Sequence, residues 1–323
     1  MKVGILGAGR IAAQMADTIH RLEGMTAYAV ASRQMEKAVR FAEENHVQKA
    51  YGSYEEMLED KEVDLVYIAT PHAFHFAHGK LCVERRKPFL CEKPFTVNAA
   101  QAEELFRYAR DNGVFCTEAL WTRYMPSCKI LKDVVRSGEI GEILYLTANL
   151  GYALSQEGRL LQPELAGGAL LDMGVYTLHF AAAVLEGEWK KLTSVCKKSE
   201  TGVDMQDAVI AVSEDEKMAI LHTTMLADTE QQGIIYGTKG YIIAHHINNI
   251  RELEVIYHGK TKKRKIPIPE QISGYEYELL ACQRALKDKQ IECEELPHRE
   301  TVRVIRWMDQ LRQEWGIRYP FEK

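Results

Sequence analysis

Three stretches combine residue types and spacings that suit chemistry on a small molecule. GAGRIA (7–12) sets Gly7, Gly9 and Ala12 in the G-x-G-x-x-G/A spacing, directly after the apolar run VGIL. In that setting the first glycine permits a tight turn and the second lets backbone approach a pyrophosphate. The small third residue lets helix and strand pack closely. Free N–H groups at the start of the following helix then face the anion. CEKPF (91–95) closes another apolar run, and GGALLDMGVY (167–176) opens a long helical pattern. Asp172 and Tyr176 are four apart there and share a helix face. Gly174 between them leaves room for another group to come close.

The elements that must position these residues alternate through the first third of the chain. Apolar runs at 3–6, 26–32, 65–70, 88–92 and 114–118 are separated by helical patterns at 10–22, 75–86 and 98–112. Ser53 with Glu56, and Asn98 with Gln101, mark helix starts. Strands spaced by helices imply right-handed crossovers and a doubly wound parallel sheet covered on both faces. This α/β pattern ends near residue 120, so the chain reads as a dinucleotide-binding domain over 1–120 and a second domain over 121–323. In the second, helices at 126–137 and 168–186 flank a strand at 143–151, and from 189 to 268 the pattern is strand-like with turns such as SEDEK and TKG. That suits an α+β domain with a mostly antiparallel sheet. Helical patterns at 275–288 and 298–315 finish the chain, free to pack back on the first domain.

An NAD-binding chain carries an acidic residue about 20 positions after the glycine turn, to hold the ribose 2′-hydroxyl. Here the second strand ends Ala31-Ser32-Arg33 instead. Arg33 can grip a 2′-phosphate by charge-assisted bonds, Ser32 can donate another, and Lys37 lies one helical turn on. The expected cofactor is therefore NADP, with NAD as the alternative. Its expected contacts begin with Gly7, Ala8, Gly9, Arg10 and Ile11 of the turn. Thr70, Pro71 and His75 follow the third strand, on the edge where dinucleotides lie.

Composition removes other classes. A net charge of −5 disfavours a nucleic-acid binder. The basic run GKTKKRK (259–265) lies between strand-like LEVIY and IPI and reads as a solvated hairpin. No continuous apolar run approaches the ~20 residues of a membrane span, and the N-terminus has no signal-peptide pattern. Seven dispersed cysteines without a CxxC pair indicate reduced thiols and a cytoplasmic protein. His72, His75 and His78 fall near one helix face, but no carboxylate or cysteine cluster accompanies them. No metal is expected.

Together GAGRIA, the Ser32-Arg33 strand end, Glu92-Lys93-Pro94 and GGALLDMGVY resemble the Gfo/Idh/MocA oxidoreductases, in the same order through most of the chain. WTRYMP (121–126) and the Lys93–Tyr176 pairing look most like the dimeric dihydrodiol dehydrogenase and glucose–fructose oxidoreductase branch. The resemblance implies a Rossmann domain followed by an open-faced sheet, which many members use to form dimers, and a cis peptide at Lys93-Pro94. In the inositol dehydrogenase branch a histidine occupies the place of Tyr176, so cyclitol oxidation is not expected here.

The implied chemistry is hydride transfer with proton relay on a hydroxyl or carbonyl carbon of a vicinal diol, polyol or sugar. Tyr176 is the expected acid/base, since a phenol beside a cation gives up its proton more readily. Lys93 would supply that charge, and Asp172 would orient Lys93 or a second substrate hydroxyl. Glu92 would support the cofactor site, Trp121 and Arg123 would wall the substrate pocket, and His179, near Tyr176, would line it or pack in the core. Two alternatives keep the fold: a redox-assisted glycosidase with tightly bound NAD, and a non-catalytic dinucleotide sensor. The substrate itself is not legible; specificity is expected in the loop 154–166 and near HHINN (245–249).

Overall fold

The computed structural model describes residues 1–154, 158–185, 187–259 and 263–322. Part of the expected specificity loop (155–157) and part of the expected basic hairpin (260–262) lie outside them. The chain forms two compact units, Met1–Tyr124 with Gln271–Val302 and Met125–Glu270 with Arg303–Lys323.

The first unit is built on β1 (Lys2–Leu6), β2 (Thr26–Ala31), β3 (Lys49–Tyr51), β4 (Leu65–Ile68), β5 (Phe89–Glu92) and β6 (Cys116–Ala119). They run β3-β2-β1-β4-β5-β6, and every pair is parallel. Helices cover the crossovers, so strands such as β4 and β5 are buried throughout and read as continuous apolar runs. The strand order reverses between β1 and β4, and in open α/β sheets ligands bind beyond the carboxyl ends at that point. Both expected caps form: Ser53 Oγ accepts from Glu56 N at 3.2 Å, and Asn98 Oδ1 from Gln101 N at 3.0 Å. The short β3 carries no strong apolar pattern and is not evident from sequence. A single turn of 3₁₀ helix, His72–Phe74, precedes the helix His75–Glu84.

The second unit begins with a helix, Pro126–Arg136, whose proline sits in the first turn, where its missing N–H costs nothing. Its eight strands are β7 (Ile143–Gly151), β8 (Trp189–Lys198), β9 (Asp204–Ser213), β10 (Met218–Thr224), β11 (Gly233–Gly237), β12 (Gly240–His245), β13 (Glu252–Tyr257) and β14 (Lys263–Ile266). Their order is β14-β13-β12-β11-β7-β10-β9-β8. Among the described residues β7 and β10 pair in parallel, and the other neighbours are antiparallel. Alternate residues Leu146, Ala148, Leu221, Ile235 and Ile242 are buried on one face. The helix Val175–Val184 packs there on β7 and β10. Phe180 lies flat against β11 at Gly233, where any side chain would collide with its ring. The opposite face leaves Val195, Ile210, Met218 and Ile220 exposed.

Residues 263–265 of the basic run form β14. Lys263 and Lys265 pair with Glu254 and Glu252 on the adjacent strand, and Arg264 pairs with Glu139. Among the described residues one helical stretch, Pro163–Val184, is long and apolar enough to cross a bilayer by length and composition. In its most apolar window 78% is buried inside the fold, as in a core helix. Polar residues such as Glu164 and Asp172 interrupt it, so it is not one continuous apolar run.

Candidate active site

At the cofactor end the glycine turn has the geometry an anion needs. Gly7 adopts φ +105°, and a side chain there would meet Ala69 O at 2.8 Å, so only glycine fits. Gly9 is different: the space around its missing side chain is open. It begins the helix Arg10–His20, which has no side-chain cap and no acidic residue in its first turn. Ala12 is wholly buried against the sheet. The helix N-terminus thus presents backbone N–H groups and its positive dipole end. Ala8 and Ile11 are half-buried beside the turn, and Arg10 is exposed. These residues fit the pyrophosphate of a dinucleotide.

Beyond β2, Arg33 and Lys37 are exposed, while Ser32 is buried and its hydroxyl accepts from Gln34 N at 3.4 Å. The Arg33 guanidinium lies over the Phe74 ring, 5.7 Å from its centre. It also lines a cavity of about 530 Å³ with Tyr54, His78, Leu81 and Glu84. Burial, then the charges of His75 and Arg33, bring His78 down to about 4, which leaves it neutral at pH 7. Its Nδ1 is 2.9 Å from Thr70 Oγ1.

The segment after β5 carries Lys93, half-buried, in the cis peptide Lys93-Pro94. Its backbone is held from several sides. Glu92 is buried, accepts the Tyr67 hydroxyl, and with its other oxygen accepts Lys93 N at 3.2 Å. His75 is fully buried, with Nδ1 at 2.8 Å from Pro94 O and Nε2 at 2.7 Å from Thr70 O. It therefore ties the β4 loop to the proline turn. Glu118 in β6 accepts Phe95 N at 2.9 Å and the Thr301 hydroxyl at 2.9 Å. Burial pushes its carboxyl up to about 7. No sequence pattern reveals this network, because its members come from three strands, two helices and the loops between them. Trp121 stacks on Tyr275 at 4.4 Å, and Arg123, with a side chain only 5% exposed, lies 3.8 Å from Glu300.

In the second unit the helix expected from 168 begins as a π-helical turn, Leu170–Gly174, and becomes α-helical at Val175. Such single π turns recur at functional sites. A side chain at Gly174 would press on Leu170 Cδ1 at 2.9 Å. Asp172 Oδ1 accepts from Arg159 Nη2 at 3.0 Å. Arg159 escaped the sequence reading because it lies thirteen residues earlier in an irregular segment. Tyr176 is half-buried on the first α-helical turn, and His179 is buried further along it. Among the described residues, His245, Glu252 and Glu254 bring ligand atoms within 4.8 Å of one another. Lys263 and Lys265 already neutralise the two carboxylates.

Residues 1–120 match the model of the oxidoreductase family with an NAD-binding Rossmann fold, and 129–243 match the GFO/IDH/MocA C-terminal domain. The chain belongs to the GFO/IDH/MocA oxidoreductase family. The trans-1,2-dihydrobenzene-1,2-diol dehydrogenase of Xenopus tropicalis is 33% identical over 330 residues, covering 99% of each chain. The D-xylose 1-dehydrogenase (NADP(+)) of Hypocrea jecorina is 34% identical over 304 residues, or 84% of this chain and 78% of that one. Among solved structures of this fold, a 3-ketoreductase from Actinomadura kijaniata in complex with NADP aligns with a TM-score of 0.88 at 23% identity, covering 97% of each chain. An aldose-aldose oxidoreductase from Caulobacter crescentus aligns at 0.88 and 18% identity, over 98% of this chain and 97% of the other. The GFO/IDH/MocA resemblance carried by the motifs is thus met across both units.

Proposed function

We propose that this family member is an NADP-dependent oxidoreductase acting on a hydroxyl or carbonyl carbon of a vicinal diol, polyol or sugar. The observation that carries the reading is the acid-free, uncapped helix start at Gly9, with Arg33 exposed where an NAD-binding chain would place a carboxylate. The activities named for the diol and xylose dehydrogenase relatives support the substrate class.

Gly7, Ala8, Gly9, Arg10 and Ile11 would hold the pyrophosphate, and Ser32, Arg33 and Lys37 the 2′-phosphate. Thr70, Pro71, Glu92 and Lys93 complete the cofactor contacts, and His75, fully buried with both ring nitrogens on backbone carbonyls, holds that loop in place rather than touching the cofactor. The bound nicotinamide supplies a hydride acceptor or donor. Tyr176 removes the hydroxyl proton in oxidation and returns it in reduction, at its phenolic oxygen. Lys93 would stabilise the developing alkoxide charge of the substrate with its ammonium. Asp172, oriented by Arg159, fixes a neighbouring hydroxyl of the substrate, while Trp121, Arg123 and His179 shape the pocket.

A homodimer through the open face of the eight-stranded sheet belongs to this reading, supported by the exposed Val195, Ile210, Met218 and Ile220. The seven free cysteines support a reducing, cytoplasmic location. The test is a panel of diols, aldoses and dicarbonyls with NADP and NAD. Steady turnover of free NADP(H) is the expected result. Loss of a glycosidic bond without net cofactor turnover would contradict it, as would cofactor binding without reaction.

A further inference from the structure

Asp204 opens β9 and is completely buried. Its Oδ2 accepts the backbone N–H of Leu170 at 2.5 Å, and the neighbouring Ala169 N–H also favours the charged carboxylate. These are the N–H groups at the start of the π turn that carries Asp172 and leads into Tyr176. The preceding Gly168 has φ +117°, and a side chain there would collide with Asp204 Oδ1. The turn is gripped from its other side as well. The Tyr319 hydroxyl donates to Gly167 O at 2.7 Å, and Gly168 N donates to Leu160 O at 2.9 Å, next to Arg159.

We infer that Asp204 is a positioning residue: it anchors the start of the helix so that Asp172 and Tyr176 hold their working orientation. This rests on the proposed function for its catalytic consequence, though not for the anchoring itself. A carboxylate at a helix start complements the dipole and takes up orphan N–H groups. A neutral, apolar residue would remove the burial cost of the charge but leave those N–H groups unpaired.

Burial raises the Asp204 carboxyl to about 6, against the opposing pull of its N–H donors and of Arg312 from the C-terminal helix. The other ionisable groups facing it are Asp207 on the same strand, Cys196 on β8 and Tyr319. As pH falls through 6 the carboxylate protonates and loses acceptor capacity toward the turn. Turnover should therefore fall on the acid side with a limb near that value.

The experiment compares the full-length protein with Asp204→Ala and Asp204→Glu by two readouts. The first is hydrogen exchange of the segment 168–176 between pH 5 and pH 8. Protection in the wild type that weakens toward pH 5, and is lost at all pH values in Asp204→Ala, is expected. Equal protection in both proteins would overturn the anchoring. The second is the pH profile of kcat. Asp204→Ala should lose at least tenfold in kcat and lose the acid limb, with KM for NADP unchanged, and Asp204→Glu should recover part of the rate. A variant with wild-type kcat, or with the limb intact, would overturn the inference. Absence of wild-type turnover on every substrate would sink the proposed function instead, with the exchange result still deciding the anchoring.

Discussion

Arg159 and Asp172 form an ion pair of 3.0 Å in which the carboxylate is 13% exposed and the guanidinium 38%. A pair this open contributes little to stability, on the order of 1 kcal/mol or less. Its value lies in orientation. Arg159→Met should shift the melting temperature by no more than a few degrees while lowering kcat at least tenfold. Combining it with Asp172→Asn should cost little more than Asp172→Asn alone, because the two residues act as one unit. Full additivity of the two losses would show that Arg159 does not work through Asp172.

Cofactor choice should follow Arg33. A charge-assisted hydrogen bond contributes about 1.5–3 kcal/mol, or roughly 10- to 150-fold in binding. Arg33→Ala should lower kcat/KM with NADP within that range and leave the value with NAD nearly unchanged. Parallel steady-state assays with the two cofactors measure this, and equal losses with both would remove the 2′-phosphate role.

The two glycines of the turn should separate fold from binding. Gly7 has a positive φ and no room for a side chain, so Gly7→Ala should lower stability by about 1 kcal/mol or more. Gly9 has open space around it. Gly9→Val should keep the melting temperature of the apoprotein and weaken NADP binding at least tenfold, by filling the space the pyrophosphate needs. Thermal melts with and without NADP check both variants; an unaltered NADP shift in Gly9→Val would contradict the cradle.

Glu118 should make the protein less stable as pH rises. Its folded carboxyl sits at about 7 against an ordinary 4.5, so between those values the folded state binds more protons than the unfolded. Stability contributed by the protonated group is present below pH 4.5 and lost as pH rises through 7. The displacement corresponds to on the order of 3 kcal/mol. Glu118→Gln should flatten this part of the stability–pH curve in denaturant titrations. A curve that keeps its slope would show that another group titrates there.

Much of this molecule is legible because its signals are local. Gly7, Gly9 and Ala12 act within one turn, and Ser53 and Asn98 cap helices three residues away, so spacing alone reveals them. The alternation of apolar runs and helices likewise gives the parallel sheet. Non-local relationships are hidden. The parallel pairing of β7 with β10 joins segments separated by the helix Val175–Val184 and two strands. The π turn at Leu170–Gly174 looks like ordinary helix in sequence. His75 reads in sequence as a cofactor contact, and its ring bonds to the Thr70 and Pro94 carbonyls have no sequence signature. Glu118 and Asp204 sit in strand-like runs and resemble solvated residues until burial and backbone partners are known.

The most direct measurement is single-turnover hydride transfer with an active diol or sugar in Tyr176→Phe and Lys93→Met, beside NADP affinity by titration. A positioned acid/base contributes about 10²- to 10⁴-fold. Tyr176→Phe should bind NADP within a few-fold of wild type, and both variants should lose at least a hundredfold in the transfer rate. Wild-type transfer in Tyr176→Phe would contradict the assignment of the proton to that hydroxyl.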